Sequence, residues 1–326
     1  MITWSSTQTP QNNILLVIDE SIRADHLSIN GYERETTPFL DRFARSEDGV
    51  RNIGMAASSG TCSYVSNALL LTGVRPGLDD FQKTRLYPTV FQYAKAMGYK
   101  TYYIDVQSNS FWNGLTDRDV PFVDSWFKAQ NFGYDTDSDF RAADLIVEIV
   151  SAGSGNFIVL NKRGVHFLYE SSYPGDAAVW LPVAPVYKSD PVLVLNPYDN
   201  GIHYNVNTFF ERLLVDPKIL ENTIILYTSD HGETLFENHV PWPHCNNTPH
   251  EAMVPLIMFG RNLPAIADGY PTSHSNILPT LLDLMNVPPE HRLHPYAPSL
   301  FSVLQGAKAD RFYFDAELHL YDFPDP

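Results

Sequence analysis

The first long apolar run of the chain, Asn13-Ile14-Leu15-Leu16-Val17-Ile18-Asp19-Glu20, shows no polar alternation in its middle, which predicts a strand buried on both faces. Shorter runs of the same kind predict strands at 101–106, 156–161, 223–228, 255–260 and 311–314. Helical spacing predicts helices over 37–46, 89–97, 139–150, 208–215 and 275–285. Strands alternating with helices imply an α/β fold, a mostly parallel central sheet sandwiched by helices. The stretch 167–197 has five prolines and no clear period. It reads as a long surface loop or lid within one domain spanning 1–326, not as a second domain.

Composition agrees with a packed core. Hydrophobic residues make up 44% of the 326, charged residues 18%, and there are 18 Tyr and 19 Phe, a mixture that excludes disorder. A formal charge of -16 argues against a nucleic-acid partner, which would need a basic face. It leaves phosphate esters open as substrates, because a bound dication supplies positive charge locally. No apolar run is long enough to span a bilayer and no leader is evident, so the sequence as it stands is expected to be soluble. The only cysteines, Cys62 and Cys245, lie in no zinc-binding spacing and are read as free packing thiols.

The chemistry concentrates at strand ends. Tyr227-Thr228-Ser229-Asp230-His231-Gly232-Glu233 puts a carboxylate beside an imidazole just after an apolar run. Neighbours in a regular strand face opposite ways, so both can reach one ion only in a turn, which Gly232 permits. Glu20 ends the first strand in the same manner. Ser58-Ser59-Gly60-Thr61-Cys62-Ser63-Tyr64-Val65-Ser66 leads into the apolar Ala68-Leu69-Leu70-Leu71 and marks a helix start, where free N–H groups and the positive dipole end favour an alkoxide and an incoming phosphate. Each feature alone has an ordinary reading: a turn, a surface carboxylate, a helix cap.

Together they carry a resemblance. The opening 15–26, followed by Asn30-Gly31-Tyr32-Glu33-Arg34-Glu35-Thr36-Thr37-Pro38, resembles the start of the bacterial phosphoethanolamine transferase catalytic domain, of the alkaline phosphatase and sulfatase superfamily. Gly60-Thr61-Cys62-Ser63-Tyr64-Val65-Ser66 resembles its nucleophile segment, Asn196-Pro197-Tyr198-Asp199-Asn200 a recurrent Tyr-x-Asn stretch, and Ser229-Asp230-His231-Gly232-Glu233 its late metal motif. The segment 273–282 matches a superfamily pattern as well.

The resemblance implies one zinc ion, with room for a second, held by Glu20, Thr61, Asp230 and His231. Thr61 would double as the nucleophile, forming a phospho-threonine that carries a phosphoethanolamine-like head group from a phospholipid donor to a glycan or lipid acceptor of the envelope. His166 and His244 would contact the phosphoryl group or a second zinc, with His239 and His250 as competing placements for the latter. The place would be the periplasmic face of the bacterial inner membrane, and this chain an excised soluble domain that meets the membrane surface through a missing anchor, or else a naturally soluble relative.

Departures bear on the substrate. The family carries an Asn and a Lys between nucleophile and central His; here Gln107 and Asn113 take approximately those places, and an amide cannot supply the lysine's charge. A sulfatase needs Pro or Ala two residues after its modified Cys and Arg two beyond, whereas Cys62 is followed by Tyr64 and Ser66. A zinc phosphodiesterase or phosphatase on the same centre, and a non-catalytic ligand-binding relative, are the alternatives.

Overall fold

The computed structural model describes residues 2–46, 49–110, 113–183, 190–235, 237, 243–293, 295–304, 306–307, 309 and 311–324. Among the described residues nine strands run β1 Asn13–Asp19, β2 Val50–Ala57, β3 Lys100–Asp105, β4 Ser125–Phe127, β5 Asn156–Asn161, β6 Thr223–Ser229, β7 Met253–Phe259, β8 Phe312–Phe314 and β9 Leu320–Asp322. The helices are α1 Pro38–Ser46, α2 Ser63–Thr72, α3 Phe81–Thr84, α4 Val90–Ala96, α5 Ser138–Ser151, α6 Pro191–Ile202, α7 Thr208–Leu213 and α8 Ile277–Leu284.

Seven strands form one sheet in the order β2-β7-β6-β1-β5-β3-β4. The five from β6 to β4 are parallel, while β7 runs antiparallel to both β6 and β2. All of β1 is buried. Leu15 and Val17 face a core shared with α5, α6 and α7; Ile14, Leu16 and Ile18 face another shared with α2, α4 and α8. That two-sided burial is what an apolar run without alternation requires.

β1 sits between β5 and β6, which come much later in the chain, so the crossovers leave it in opposite directions. Such a switch point opens a crevice at the carboxyl ends of the strands, and Glu20 and Asp230 emerge there. Three expectations change. The 311–314 strand pairs with β9 in a separate two-stranded sheet. The 167–197 stretch is not loop throughout, because Asp190 accepts from the Val192 N–H and starts α6 at Pro191; residues 184–189 lie outside the described set. And Cys62 and Cys245 are not free: they form a disulfide with Cα atoms 4.8 Å apart.

Candidate metal centre

Beyond β1 the chain turns sharply. Ser21 adopts φ 65, and its N–H donates to Asp230 Oδ1 at 3.2 Å, pinning the β1 turn to the β6 turn. Gly164 packs against this turn with φ +57; a Cβ there would lie 2.6 Å from Asp19 Oδ1 and 2.7 Å from the Glu20 nitrogen, so only glycine fits. Gly232 is equally confined, a Cβ falling 2.4 Å from the His250 carbonyl oxygen.

These turns bring Glu20, Asp230 and His231 together, with ligand-type atoms within 4.8 Å of one another and all three side chains buried. His231 Nδ1 lies 2.7 Å from the Gly232 carbonyl, to which it donates, leaving Nε2 to face the carboxylates. Nε2 is 3.4 Å from Glu20 Oε1 and 3.7 Å from Asp230 Oδ2. Burial pushes the Asp230 carboxyl up to about 6, and the neighbouring Glu20 charge adds to the rise. For His231, burial acts downward, but Asp230 and Glu20 outweigh it and raise the imidazole.

A dication fits this donor set. Among the described residues, Asp230 Oδ2 is buried with no hydrogen-bond partner, as suits a carboxylate oxygen that would face a cation. Two carboxylates and an imidazole with an inward lone pair are zinc-type ligands.

Ser63 brings a hydroxyl to the cluster beside the Ser21 hydroxyl, which donates to Glu20 Oε1 at 2.7 Å. The Ser63 Oγ lies 3.3 Å from His231 Nε2 and 3.4 Å from Glu20 Oε2, at the first residue of α2, in a half-buried position. Thr61, expected there, is instead fully buried, and its hydroxyl donates to the Asn246 carbonyl at 2.7 Å. The two-residue displacement has a local cause. Cys62 is the N-cap, so Thr61 belongs to the incoming extended segment while Ser63 stands on the helix's first turn.

Around the cluster, Gln107 Nε2 donates to Glu20 Oε2 at 2.9 Å and to the Lys162 carbonyl at 2.6 Å. Asn113 Nδ2 donates to Gln107 Oε1 at 3.3 Å. His244 and His166 stand beside His231, ring centroids 4.9 Å from His231 to His244 and 5.5 Å from His244 to His166. His244 Nδ1 lies 3.1 Å from the buried Glu233 carboxylate, which also accepts from Tyr169 OH at 3.0 Å. Burial acts to lower the His244 imidazole, but the Glu233 bond and charge prevail and lift it to about 9. His250 turns elsewhere, Nε2 4.0 Å from Glu237, and His239 lies outside the described residues. A cleft of about 300 Å³ opens over Glu20, lined by Gln107, Tyr134, Arg163, His166 and Phe167.

The sequence reading missed three supports: Gln107 as a direct partner of Glu20, the Glu233–His244 pair, and the buried Lys162 beneath Asp19. The Glu233 signal was present, since a carboxylate two residues past His231 accompanies the metal motif in the sequence.

A family model named Sulfatase matches residues 12–287. The Kdo(2)-lipid A phosphoethanolamine 7''-transferase of Escherichia coli (strain K12) is 28% identical over 261 residues, 76% of this chain and 44% of that protein. The phosphatidylethanolamine transferase Mcr-1 of Escherichia coli is 26% identical over 295 residues, 84% of this chain and 53% of that protein. The chain thus spans about half the length of these curated relatives. Among solved structures, the C-terminal periplasmic domain of EcEptC from Escherichia coli in complex with Zn superposes with TM-score 0.79 at 20% identity, covering 99% of this chain and 95% of that one. The soluble domain of lipooligosaccharide phosphoethanolamine transferase A from Neisseria meningitidis gives TM-score 0.68 at 20% identity, with 87% and 90% covered. At those identities the likeness is one of fold.

Proposed function

The chain belongs to the sulfatase family, and from that premise we propose that it is a metal-dependent transferase, moving a phosphoethanolamine-like head group from a phospholipid to an envelope glycan or lipid through a phosphoryl-serine intermediate on Ser63. The observation that carries this reading is the convergence of the Ser63 hydroxyl on His231 Nε2 and Glu20 Oε2, 3.3 and 3.4 Å away. Thr61, buried against a backbone carbonyl, is out of reach of a substrate. The relatives named as a phosphoethanolamine transferase and a phosphatidylethanolamine transferase support the transferred group.

Glu20, Asp230 and His231 would hold the ion, for which the zinc complex of the EcEptC domain is the precedent. Bound there, zinc would lower the pKa of the Ser63 hydroxyl and withdraw charge from a phosphoryl oxygen. The residues do the rest. Ser63 Oγ attacks phosphorus as the bond to the diacylglycerol oxygen breaks, and the α2 dipole favours the gathering negative charge. His244, fixed by Glu233, stands where it can give a proton to the leaving oxygen. An acceptor hydroxyl then attacks the same phosphorus, its proton returns to His244, and Ser63 is freed. Cys62, bonded to Cys245, has no thiol to convert into a sulfatase nucleophile.

The setting we propose is the periplasmic face of a bacterial inner membrane. No helix among the described residues is long and apolar enough to cross a bilayer. The phospholipid donor in this reading is met at the membrane surface. Incubation with phosphatidylethanolamine followed by intact and peptide mass spectrometry tests the reading. A phosphoethanolamine adduct on Ser63 that vanishes after zinc chelation is expected. Free phosphoethanolamine without any adduct would instead make the chain a hydrolase, and neither product with no retained zinc would leave a binding protein.

A further inference from the structure

The Cys62–Cys245 bridge falls between the two groups that the proposed reaction uses. Cys62 directly precedes Ser63, and Cys245 directly follows His244, from points 183 residues apart in the chain. Hydrogen bonds lace the same segments: the Cys245 N–H donates to the Thr61 carbonyl at 2.8 Å, and the Thr61 hydroxyl to the Asn246 carbonyl at 2.7 Å. Residues 243–247 form neither helix nor strand, so no regular element fixes His244. Cys245 itself has φ 67, a left-handed conformation that a non-glycine residue holds only when its surroundings impose it.

We propose that this disulfide is a positioning device for group transfer: it holds His244 in register with Ser63, and the oxidised protein is the competent form. The proposal rests on the transferase reading above. A dithiol reductant opens the bridge by exchange. One of its thiolates bonds to a cysteine sulfur and releases the other cysteine; its second thiolate then displaces the first sulfur, and the reductant leaves as a cyclic disulfide. Its two electrons end on Cys62 and Cys245, each of which takes up a proton. His244 then keeps the Glu233 contact, the His231 and His166 rings beside it and the laced hydrogen bonds, but no covalent tie, and a displacement of about 1 Å is enough to cost up to about a hundredfold in rate.

The experiment compares oxidised protein, protein reduced with dithiothreitol and assayed for two free thiols, and the Cys62→Ser/Cys245→Ser double variant, each also carrying His244→Ala. Diacylglycerol release from phosphatidylethanolamine vesicles is the readout. Opening the bridge should lower kcat about tenfold or more with KM changed less than about twofold, zinc and far-UV circular dichroism retained, and recovery on reoxidation. In the His244→Ala background it should change kcat less than about twofold, because the group it positions is gone. An unchanged kcat in the reduced protein overturns the proposal. So does an equal loss in the His244→Ala background, or loss of zinc or of fold on reduction, since the bridge would then be a general crosslink. Oxidised protein that releases no diacylglycerol overturns this inference and the transferase reading together, whereas turnover indifferent to the bridge overturns this inference alone.

Discussion

Lys162 Nζ lies 2.5 Å from Asp19 Oδ2, and both side chains are completely buried beneath the turn that carries Glu20. Burial pushes the Asp19 carboxyl up, and Lys162 pulls it back only in part. Tyr227 OH, at 3.0 Å, also donates to Asp19, and the Lys162 ammonium reaches the Asn205 carbonyl at 3.2 Å. The pair therefore joins β1, β5, β6 and the segment after α6 directly below the metal ligands. Removing one partner strands the other charge, which typically costs about 3–5 kcal/mol. Lys162→Met is expected to lose that much by urea unfolding, and Asp19→Asn with Lys162→Met to recover part of it. A loss in the double variant equal to the sum of the Lys162→Met and Asp19→Asn losses would mean that the two groups are not coupled.

The assignment of the nucleophile separates two hydroxyls two residues apart. Ser63→Ala should abolish adduct formation and lower turnover at least about a thousandfold, as expected when a covalent catalyst is removed. Thr61→Ala should keep turnover within about tenfold while losing about 0.5–1.5 kcal/mol, because it removes a buried hydrogen bond to the Asn246 carbonyl. The reverse pattern, an active Ser63→Ala and a dead Thr61→Ala, would return the role to Thr61.

Much of this architecture is legible in the sequence, and the misses have physical reasons. The runs that became β1, β5 and β6 are buried on both faces and read without ambiguity. β2 escaped because it is an edge strand with a bulge at Asn52 and Gly54 and mixed exposure, so neither an apolar run nor a clean alternation marks it. Glu20, Asp230 and His231 were readable because turn chemistry puts them at strand ends. Ser63 was not separable from Thr61 by composition. The difference is which residue falls on the helix's first turn, and a boundary shift of one or two residues is what sequence patterns resolve least well. The disulfide was equally invisible, since a sequence separation of 183 says nothing of proximity until the fold is known.

Gln107 is expected to act on the metal through Glu20. It donates to Glu20 Oε2 at 2.9 Å, and a carboxylate ligand that loses such a partner typically costs about 10–100-fold in metal affinity. Gln107→Ala should show that loss in titration against a chelator of known affinity, with turnover restored by excess zinc. Asn113→Ala, which removes a hydrogen bond of 3.3 Å to Gln107, one step further from Glu20, should lose much less. Comparable losses in both variants would show that the two amides act as one unit, and no loss in either would remove Gln107 from the support of the site.

His274 gives a pH test independent of turnover. It is buried at the start of the segment leading into α8, where its Nδ1 accepts from the Ser59 N–H at 3.2 Å and its Nε2 lies 3.2 Å from Thr228 Oγ1. Burial lowers its pKa from the ordinary 6.5 to about 3, so the ring stays neutral in the folded protein. The unfolded chain binds a proton near pH 6.5 that the folded chain refuses, so stability is full above that pH and is lost progressively as pH falls toward 3. At its steepest the slope contributed by one such group is about 1.4 kcal/mol per pH unit. His274→Gln removes the titrating ring while keeping polar atoms nearby, and it will be less stable at neutral pH. Its urea-unfolding free energy should nevertheless fall less steeply than that of the parent protein between pH 6.5 and 4.5, the carboxylates common to both cancelling in the difference. Parallel curves would mean that His274 is protonated in the fold, and the hydrogen bonds it shares with Ser59 and Ser66 behind the α2 turn would need another donor arrangement.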